Sequence, residues 1–233
     1  MTQPQEDHLY RPSQNIYYAK LMALTEGAFT DKQTEAHKGK WRDKFALKSL
    51  HKPELHVELG CNGGHVTLEW SQDHPEHLYI GIDWKFKQVY KAYEKAKKRG
   101  LKNLLFFRAL SERIDQMFAD GEIDYLYLYF PDPWPKKAHL KNRTVTGDWL
   151  RQCAKVVRSG GVFHIKTDHA GYADWMRAAI AEVGDLWTVT ENESDLYRSH
   201  PEPTKLRIPQ VTLFERLFIK DKIPIHSMKL VRK

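Results

Sequence analysis

The chain of 233 residues has little cysteine: only Cys61 and Cys153. Two thiols exclude a disulfide-stapled scaffold and a cysteine-rich zinc site, and they fit a reducing, cytoplasmic setting. No stretch approaches the ~18 consecutive apolar residues that spanning a bilayer requires, so no membrane partner is expected. The start, Met1-Thr2-Gln3-Pro4-Gln5-Glu6-Asp7, has neither a basic flank nor an apolar core, which speaks against a secretory leader. The Gly-x-Gly-x-x-Gly fingerprint of dinucleotide sites is missing, and with it the strongest sign of a nicotinamide-dependent oxidoreductase. Internal repeats and low-complexity segments are also absent. What remains, 41% hydrophobic and 29% charged residues, is enough to fold one domain of moderate size, or one domain with an extension, around a real core.

The net charge is +7, and it is clustered. Trp84 to Lys102 holds eight Lys and Arg against one acid, Glu94. Lys136 to Arg158 holds seven against Asp148, and Leu196 to Lys233 holds nine against three acids. Three basic blocks could converge on one face and bind phosphates, or could be three separate solvated faces. Charge alone does not choose between them.

Elements of period 2 and period 3.6 alternate along most of the chain. Residues 1–50 read as a partly helical N-terminal extension, with weak helical patterning over Tyr17–Leu24 and Lys38–Leu50. From residue 51 to 233 the pattern is that of one domain. Strands are expected at Leu55–Gly60, Leu78–Asp83, Leu104–Leu110, Ile123–Phe130, Val162–Lys166, Leu186–Thr190 and Val211–Ile219. Helices are expected at Gly64–Gln72, Phe86–Arg99, Ser111–Phe118, Asp148–Val157 and Tyr172–Val183. The fold class is therefore α/β: an open, mostly parallel seven-stranded sheet with helices on both faces. Ligands of such sheets bind at the carboxyl ends of the strands.

Two strand ends carry chemistry. The first strand runs into Glu58-Leu59-Gly60-Cys61-Asn62-Gly63-Gly64, where glycines let the backbone turn sharply near a ligand. An acid within this strand suits a ligand with a positive group or hydroxyls better than a pyrophosphate. The second strand ends in Asp83, placed as the usual acid that binds ribose hydroxyls. S-adenosylmethionine has a ribose, an ammonium and a sulfonium but no phosphate, and it matches this pair. Cys61 reads as a small buried filler, not a nucleophile. The fourth strand, Tyr125 to Phe130, runs into Pro131-Asp132-Pro133-Trp134-Pro135-Lys136-Lys137. Three prolines in five positions make a stiff loop. It holds Asp132 and Trp134 at the strand end, followed by Lys136, Lys137, His139, Lys141 and Arg143, a run suited to phosphates.

Phe130 to Arg143 resembles the signature loop of the tRNA (guanine-N7-)-methyltransferases. The resemblance continues in order over roughly the last 180 residues, through Glu58-Leu59-Gly60, Gly81-Ile82-Asp83, Lys166-Thr167-Asp168 and Thr212-Leu213-Phe214-Glu215. It implies a Rossmann-like class I methyltransferase fold. It also implies transfer of a methyl group from S-adenosylmethionine to N7 of a guanosine in the tRNA variable loop. Carried over residue by residue, it makes Asp132 catalytic. Glu58, Gly60, Gly64 and Asp83 become cofactor-binding, and Leu110 stands where the family often has Asp or Asn near the adenine. Lys136, Asp168, Thr212 and Glu215 become substrate-binding. Asn62 replaces a frequent second glycine, and Leu213 a frequent polar or basic residue. The implied partner is tRNA, with the enzyme a monomer or homodimer and no obligate protein partner. The alternatives left open are a paralogue acting on another RNA or small substrate, and a noncatalytic RNA-binding protein that keeps the fold.

Guanine N7 carries a free lone pair, so the reaction needs alignment more than deprotonation, and Asp132 is expected to orient or assist electrostatically. His164 reads as a satisfied core residue. His37, His51, His65, His74 and His77 show no metal-ligand spacing with cysteines or acids, so no metal is expected.

Overall fold

The computed structural model describes residues 15–45, 53–200 and 212–233. Eight strands form one sheet: β1 (Ala28–Thr30), β2 (Leu55–Leu59), β3 (Leu78–Asp83), β4 (Leu104–Arg108), β5 (Ile123–Tyr129), β6 (Val157–Thr167), β7 (Trp187–Glu193) and β8 (His226–Arg232). Their order across the sheet is β1-β4-β3-β2-β5-β6-β8-β7. All neighbours pair in parallel up to β6; β8 lies antiparallel between β6 and β7. The chain thus winds outward from β2 to β4, then returns to place β5 on the other side of β2. The carboxyl ends of β2 and β5 therefore adjoin at the point where the winding reverses, which is where ligands of such sheets bind.

Nine α-helices accompany the strands among the described residues: α1 (Ile16–Met22), α2 (Asp31–Ala36), α3 (His65–Asp73), α4 (Phe86–Lys98), α5 (Ile114–Met117), α6 (Gly147–Val156), α7 (Ala170–Ala181), α8 (Leu196–Ser199) and α9 (Leu213–Lys220). Two apolar clusters cover the two faces of the sheet. One is built on Trp41, Phe107, Trp149, Phe163 and Trp187, the other on Trp70, Val89, Phe106 and Tyr127. Strands β2 to β5 are buried almost throughout, as expected for parallel strands covered on both sides. No helix among the described residues is long and apolar enough to cross a membrane.

The α/β class agrees with the sequence pattern; β6 starts at Val157 instead of Val162, α8 has no counterpart in that pattern, and three further features differ. The sheet has eight strands, not seven: the segment read as an N-terminal extension supplies β1, which pairs with β4. The same segment puts Trp41 fully into the core, where its indole N–H donates to Met117 O at 2.8 Å. Residues 41–44 form a 3₁₀ turn, and the rest of the helix expected over Lys38–Leu50 lies outside the described residues. Finally, the stretch expected as a strand over Val211–Ile219 is helix α9 from Leu213, with Val211 outside the described residues; the last strand is β8 instead. The cause is local. Thr212 accepts the Glu215 N–H at 3.0 Å, and Glu215 accepts the Thr212 N–H at 2.8 Å. This reciprocal capping starts a helix where a run of apolar residues suggested a strand.

Candidate active site

A cleft of about 590 Å³ opens at the carboxyl ends of β2, β3 and β5. Its floor is Glu58, on a strand buried from both faces. Oε2 of Glu58 is buried and has no hydrogen-bond partner in the protein. Burial pushes the carboxyl up to about 8, against the opposing backbone and side-chain hydrogen bonds of Thr67; Asp83 nearby pushes it further up. A carboxyl held in this way is neutral at neutral pH and keeps hydrogen-bonding capacity that the protein does not use.

The glycine loop turns over this acid. Gly60 N and Cys61 N donate to Ile82 O at 2.8 and 2.9 Å, which ties the loop to β3. Asn62 adopts φ of 50° and donates its N–H to Asp83 Oδ2 at 3.0 Å. Asn tolerates the left-handed region better than any other common residue except Gly, so it can stand at a glycine position. Gly64 has no substitute: its φ is 70°, and a Cβ there would lie 2.9 Å from both Ala92 Cβ and Phe106 Cε1. Its role is to let α3 start against α4 and β4, and it does not line the cleft. Asp83 also accepts the Lys85 N–H at 2.8 Å; burial raises its carboxyl, and the hydrogen bonds from Lys85 and Asn62 oppose that. Cys61 is buried, and its thiol is pushed well up by burial, so it is inert at neutral pH.

The proline loop closes the opposite side. Register pairs Glu58 with Tyr127 and Leu59 with Leu128, so Pro131 and Asp132 emerge beside Gly60. Phe130 and Trp134 have φ of 53° and 43°, left-handed values that cost bulky residues energy and concentrate at working sites. Phe130 N donates to Lys166 O at 2.9 Å, which anchors the start of the loop to β6. Arg143, expected among the phosphate-binding cations, is instead buried. Its Nε donates to Pro133 O at 2.9 Å, and its guanidinium packs over Tyr172 and Trp175. It braces the loop from behind. Asp132 is left exposed at the lip of the cleft.

The third wall is α9. Lys166 and Glu215 have 3% and 0% of their side chains exposed, and Lys166 Nζ donates to Glu215 Oε1 at 2.6 Å. Tyr197 Oη donates to the same oxygen at 2.9 Å. This buried bridge, with Phe130 packed on Phe218, holds the start of α9 on the end of β6. It brings Thr212, Leu213 and Phe214 to the cleft. His164 lies behind it, 2.9 Å from Tyr129 Oη and 2.9 Å from Ser227 Oγ, satisfied within the core as expected.

Of the residues singled out in the sequence, Glu58, Gly60, Asp83, Leu110, Asp132 and Thr212 line one cleft. Lys136 and Asp168 do not line it; Lys136 is exposed just beyond the proline loop, and Asp168 follows the last residue of β6. Glu215 faces inward, with both oxygens engaged. The sequence reasoning missed Trp84, Arg108, Thr144 and His65, all on the cleft wall. Arg108 reaches it by donating to Trp84 O at 2.9 Å while packing over Phe86; only the β3–β4 pairing signals that contact. Burial first, then Lys95 and Arg99 of the first basic block and Arg216 of the third, disfavour charge on His65. Lys95 of the first basic block also donates its Nζ to Gly63 O at 3.0 Å, at the glycine loop.

Comparison with known proteins bears on the family and the fold. A methyltransferase sequence family matches residues 52–228. The tRNA (guanine-N(7)-)-methyltransferase of Enterococcus faecalis is 33% identical over 175 residues, which is 75% of this chain and 77% of that protein. A bifunctional glycosyltransferase/methyltransferase of Fusobacterium nucleatum is 28% identical over 213 residues, 91% of this chain; the chain spans about a third, 32%, of that relative's length. Among solved structures, the 16S rRNA methyltransferase KamB superposes with a TM-score of 0.58 at 18% identity, covering 88% of this chain and 95% of that one. The structural likeness concerns the fold.

Proposed function

The chain belongs to the tRNA (guanine-N7-)-methyltransferase family, and from that premise we propose that it methylates N7 of a guanosine in the tRNA variable loop, with S-adenosylmethionine as donor. We assign the chemistry to residues 51–233, acting in the cytoplasm as a monomer or homodimer. The observation that carries the reading is the meeting of the acid-bearing glycine loop and the proline loop in one cleft at the β2–β5 junction.

The residues present fit the donor. Glu58 Oε2 is a buried acceptor without a partner, and Asp83 stands at the end of the neighbouring strand. Two acids side by side, with no cation beside Glu58, favour a nucleoside bearing hydroxyls and an amino group over a pyrophosphate. When bound, S-adenosylmethionine supplies a methyl group activated by its sulfonium.

The protein's own task is then alignment. Glu58 and Asp83 would fix the nucleoside end, and Trp84, Leu110 and Arg108 bound that half of the cleft. Guanine N7 needs no base, because its lone pair is free at neutral pH. Holding it in line with the methyl group supplies ~7 kcal/mol or more of the barrier reduction. Asp132, at the lip, accepts hydrogen bonds from the N–H edge of guanine and opposes the positive charge that the base gains. Trp134, held in its left-handed conformation beside Asp132, offers a ring for a splayed-out base. Lys85 lines the cleft, Lys95 Nζ donates to Gly63 O of the glycine loop at 3.0 Å, and Lys136 is exposed just beyond the proline loop; these cations suit the phosphates of a folded RNA.

Incubation with radiolabelled S-adenosylmethionine and bulk tRNA, followed by nucleoside analysis, tests the reading. Label is expected in 7-methylguanosine; label in another nucleoside, or none, refutes it. Asp132→Asn is expected to cut kcat by about 10²-fold with no new dependence on pH. A wild-type rate that follows a single deprotonation, lost in the variant, would make Asp132 a base instead.

A further inference from the structure

The opposite rim of the same sheet holds a second cluster with ligand chemistry. Glu54 immediately precedes β2, His56 is its second residue, and His77 immediately precedes β3. Because the two strands are parallel and in register from Leu55 and Leu78, their amino ends lie side by side. Glu54 Oε2 is 3.6 Å from His56 Nε2 and 3.7 Å from His77 Nε2. One ligand atom from each residue falls within 4.8 Å of the others. Tetrahedral ligands at bonds of about 2.0–2.2 Å from zinc sit about 3.3–3.6 Å apart, so little movement would enclose an ion.

The surroundings are built in the way metal ligands are held. His56 Nδ1 lies 2.9 Å from Tyr127 Oη, which directs Nε2 towards Glu54 and His77. The His56 ring is stacked on Tyr125 with centroids 4.6 Å apart and planes 7° apart. His56 Nε2 is buried and has no hydrogen-bond partner in the protein. Glu76 Oε1, 3.6 Å from His77 Nε2, or a water can complete the set.

We propose that Glu54, His56 and His77 form a site for a divalent transition-metal ion of the Zn²⁺ class, which staples the amino ends of β2 and β3. Two imidazoles and one carboxylate select such an ion over Mg²⁺ or Ca²⁺. The site is structural: along β2, His56 is four residues from Gly60, about 13 Å from the cleft at ~3.3 Å per residue. It stands independently of the methyl-transfer reading.

The test uses the full chain, stripped with a chelator and desalted, then titrated with Zn²⁺ alone against a chromophoric chelator, and with Co²⁺ alone by visible absorption. The wild type is expected to bind one equivalent, give a tetrahedral Co²⁺ spectrum and gain several degrees in Tm. Glu54→Gln and His77→Ala, both at partly exposed positions before strands, are expected to weaken Zn²⁺ binding at least tenfold and to lose the Tm gain while keeping the wild-type far-ultraviolet circular dichroism. His74→Ala is expected to retain the site. A folded wild type that takes up no Zn²⁺, an octahedral Co²⁺ spectrum, or unchanged binding in both variants would overturn the assignment. So would loss of the site in His74→Ala with retention in His77→Ala.

Discussion

Two buried acids on adjacent strands of this sheet have opposite fates. Asp124, near the amino end of β5, accepts the Leu55 N–H at 2.8 Å and is gripped by Arg42 Nη2 and Arg158 Nε, each at 2.5 Å. Burial alone would raise its carboxyl, but these partners together hold it below the usual carboxylate range. Glu58, at the carboxyl end of β2, is as deeply buried and has no cation beside it, and its carboxyl is pushed up to about 8. Asp124 has its buried charge compensated internally. Glu58 leaves Oε2 open, and that incompleteness is what a ligand can complete.

The largest expected effect tests the open acid. Folded, Glu58 keeps its proton up to about pH 8, whereas unfolded it loses it near the ordinary value of 4.5. The stability gained from the neutral acid is therefore full below about 4.5 and is lost as pH rises towards 8. Glu58→Gln cannot titrate, so in the cofactor-free protein its stability relative to wild type should rise across that window, by on the order of 4 kcal/mol at the upper end. Urea unfolding at several pH values measures this; a constant difference from pH 5 to 8 would mean that the acid is compensated after all.

The closed acid should behave in the reverse sense. Asp124→Ala leaves two arginines and the Leu55 N–H without their acceptor, and should cost about 3 kcal/mol with little dependence on pH above 5. The same urea titrations read it, and a loss under 1 kcal/mol would remove the contrast between the two acids.

The smallest effect concerns the loop above Glu58. Asn62→Gly should change stability by less than about 0.5 kcal/mol, because both residues accept a left-handed φ, whereas Asn62→Val should lose about 1–2 kcal/mol. Equal losses in the two would show that the Asn62 side chain, not its backbone, matters.

Much of the cleft could be read before the fold was seen. Glycine and proline constrain the backbone whatever surrounds them, so Gly60-Cys61-Asn62-Gly63-Gly64 and Pro131-Asp132-Pro133-Trp134-Pro135 announced turns at strand ends. The strand pattern located four of the eight strands, β2 to β5, to within two residues. The failures arise where local and distant forces give the same pattern. Leu213 to Ile219 is apolar enough for a strand, and only the reciprocal bonding of Thr212 and Glu215 makes it a helix. Arg143 reads as one more cation in a basic run, yet it is buried beneath Pro133 because Tyr172 and Trp175 offer it aromatic faces. His77 shows no ligand spacing along the chain; its partners come from the neighbouring strand.

By itself, then, the order of amino acids determined the α/β class, the two loops and the acids they carry, since these depend on backbone freedom and on periodicity within a few residues. The tertiary structure alone decided which of those acids would be left without a partner, which cations would be spent bracing a loop, and which residues from different strands would meet. Such outcomes depend on burial and on strand register, which set the neighbours and the dielectric around each charge, and neither is a property of any short segment.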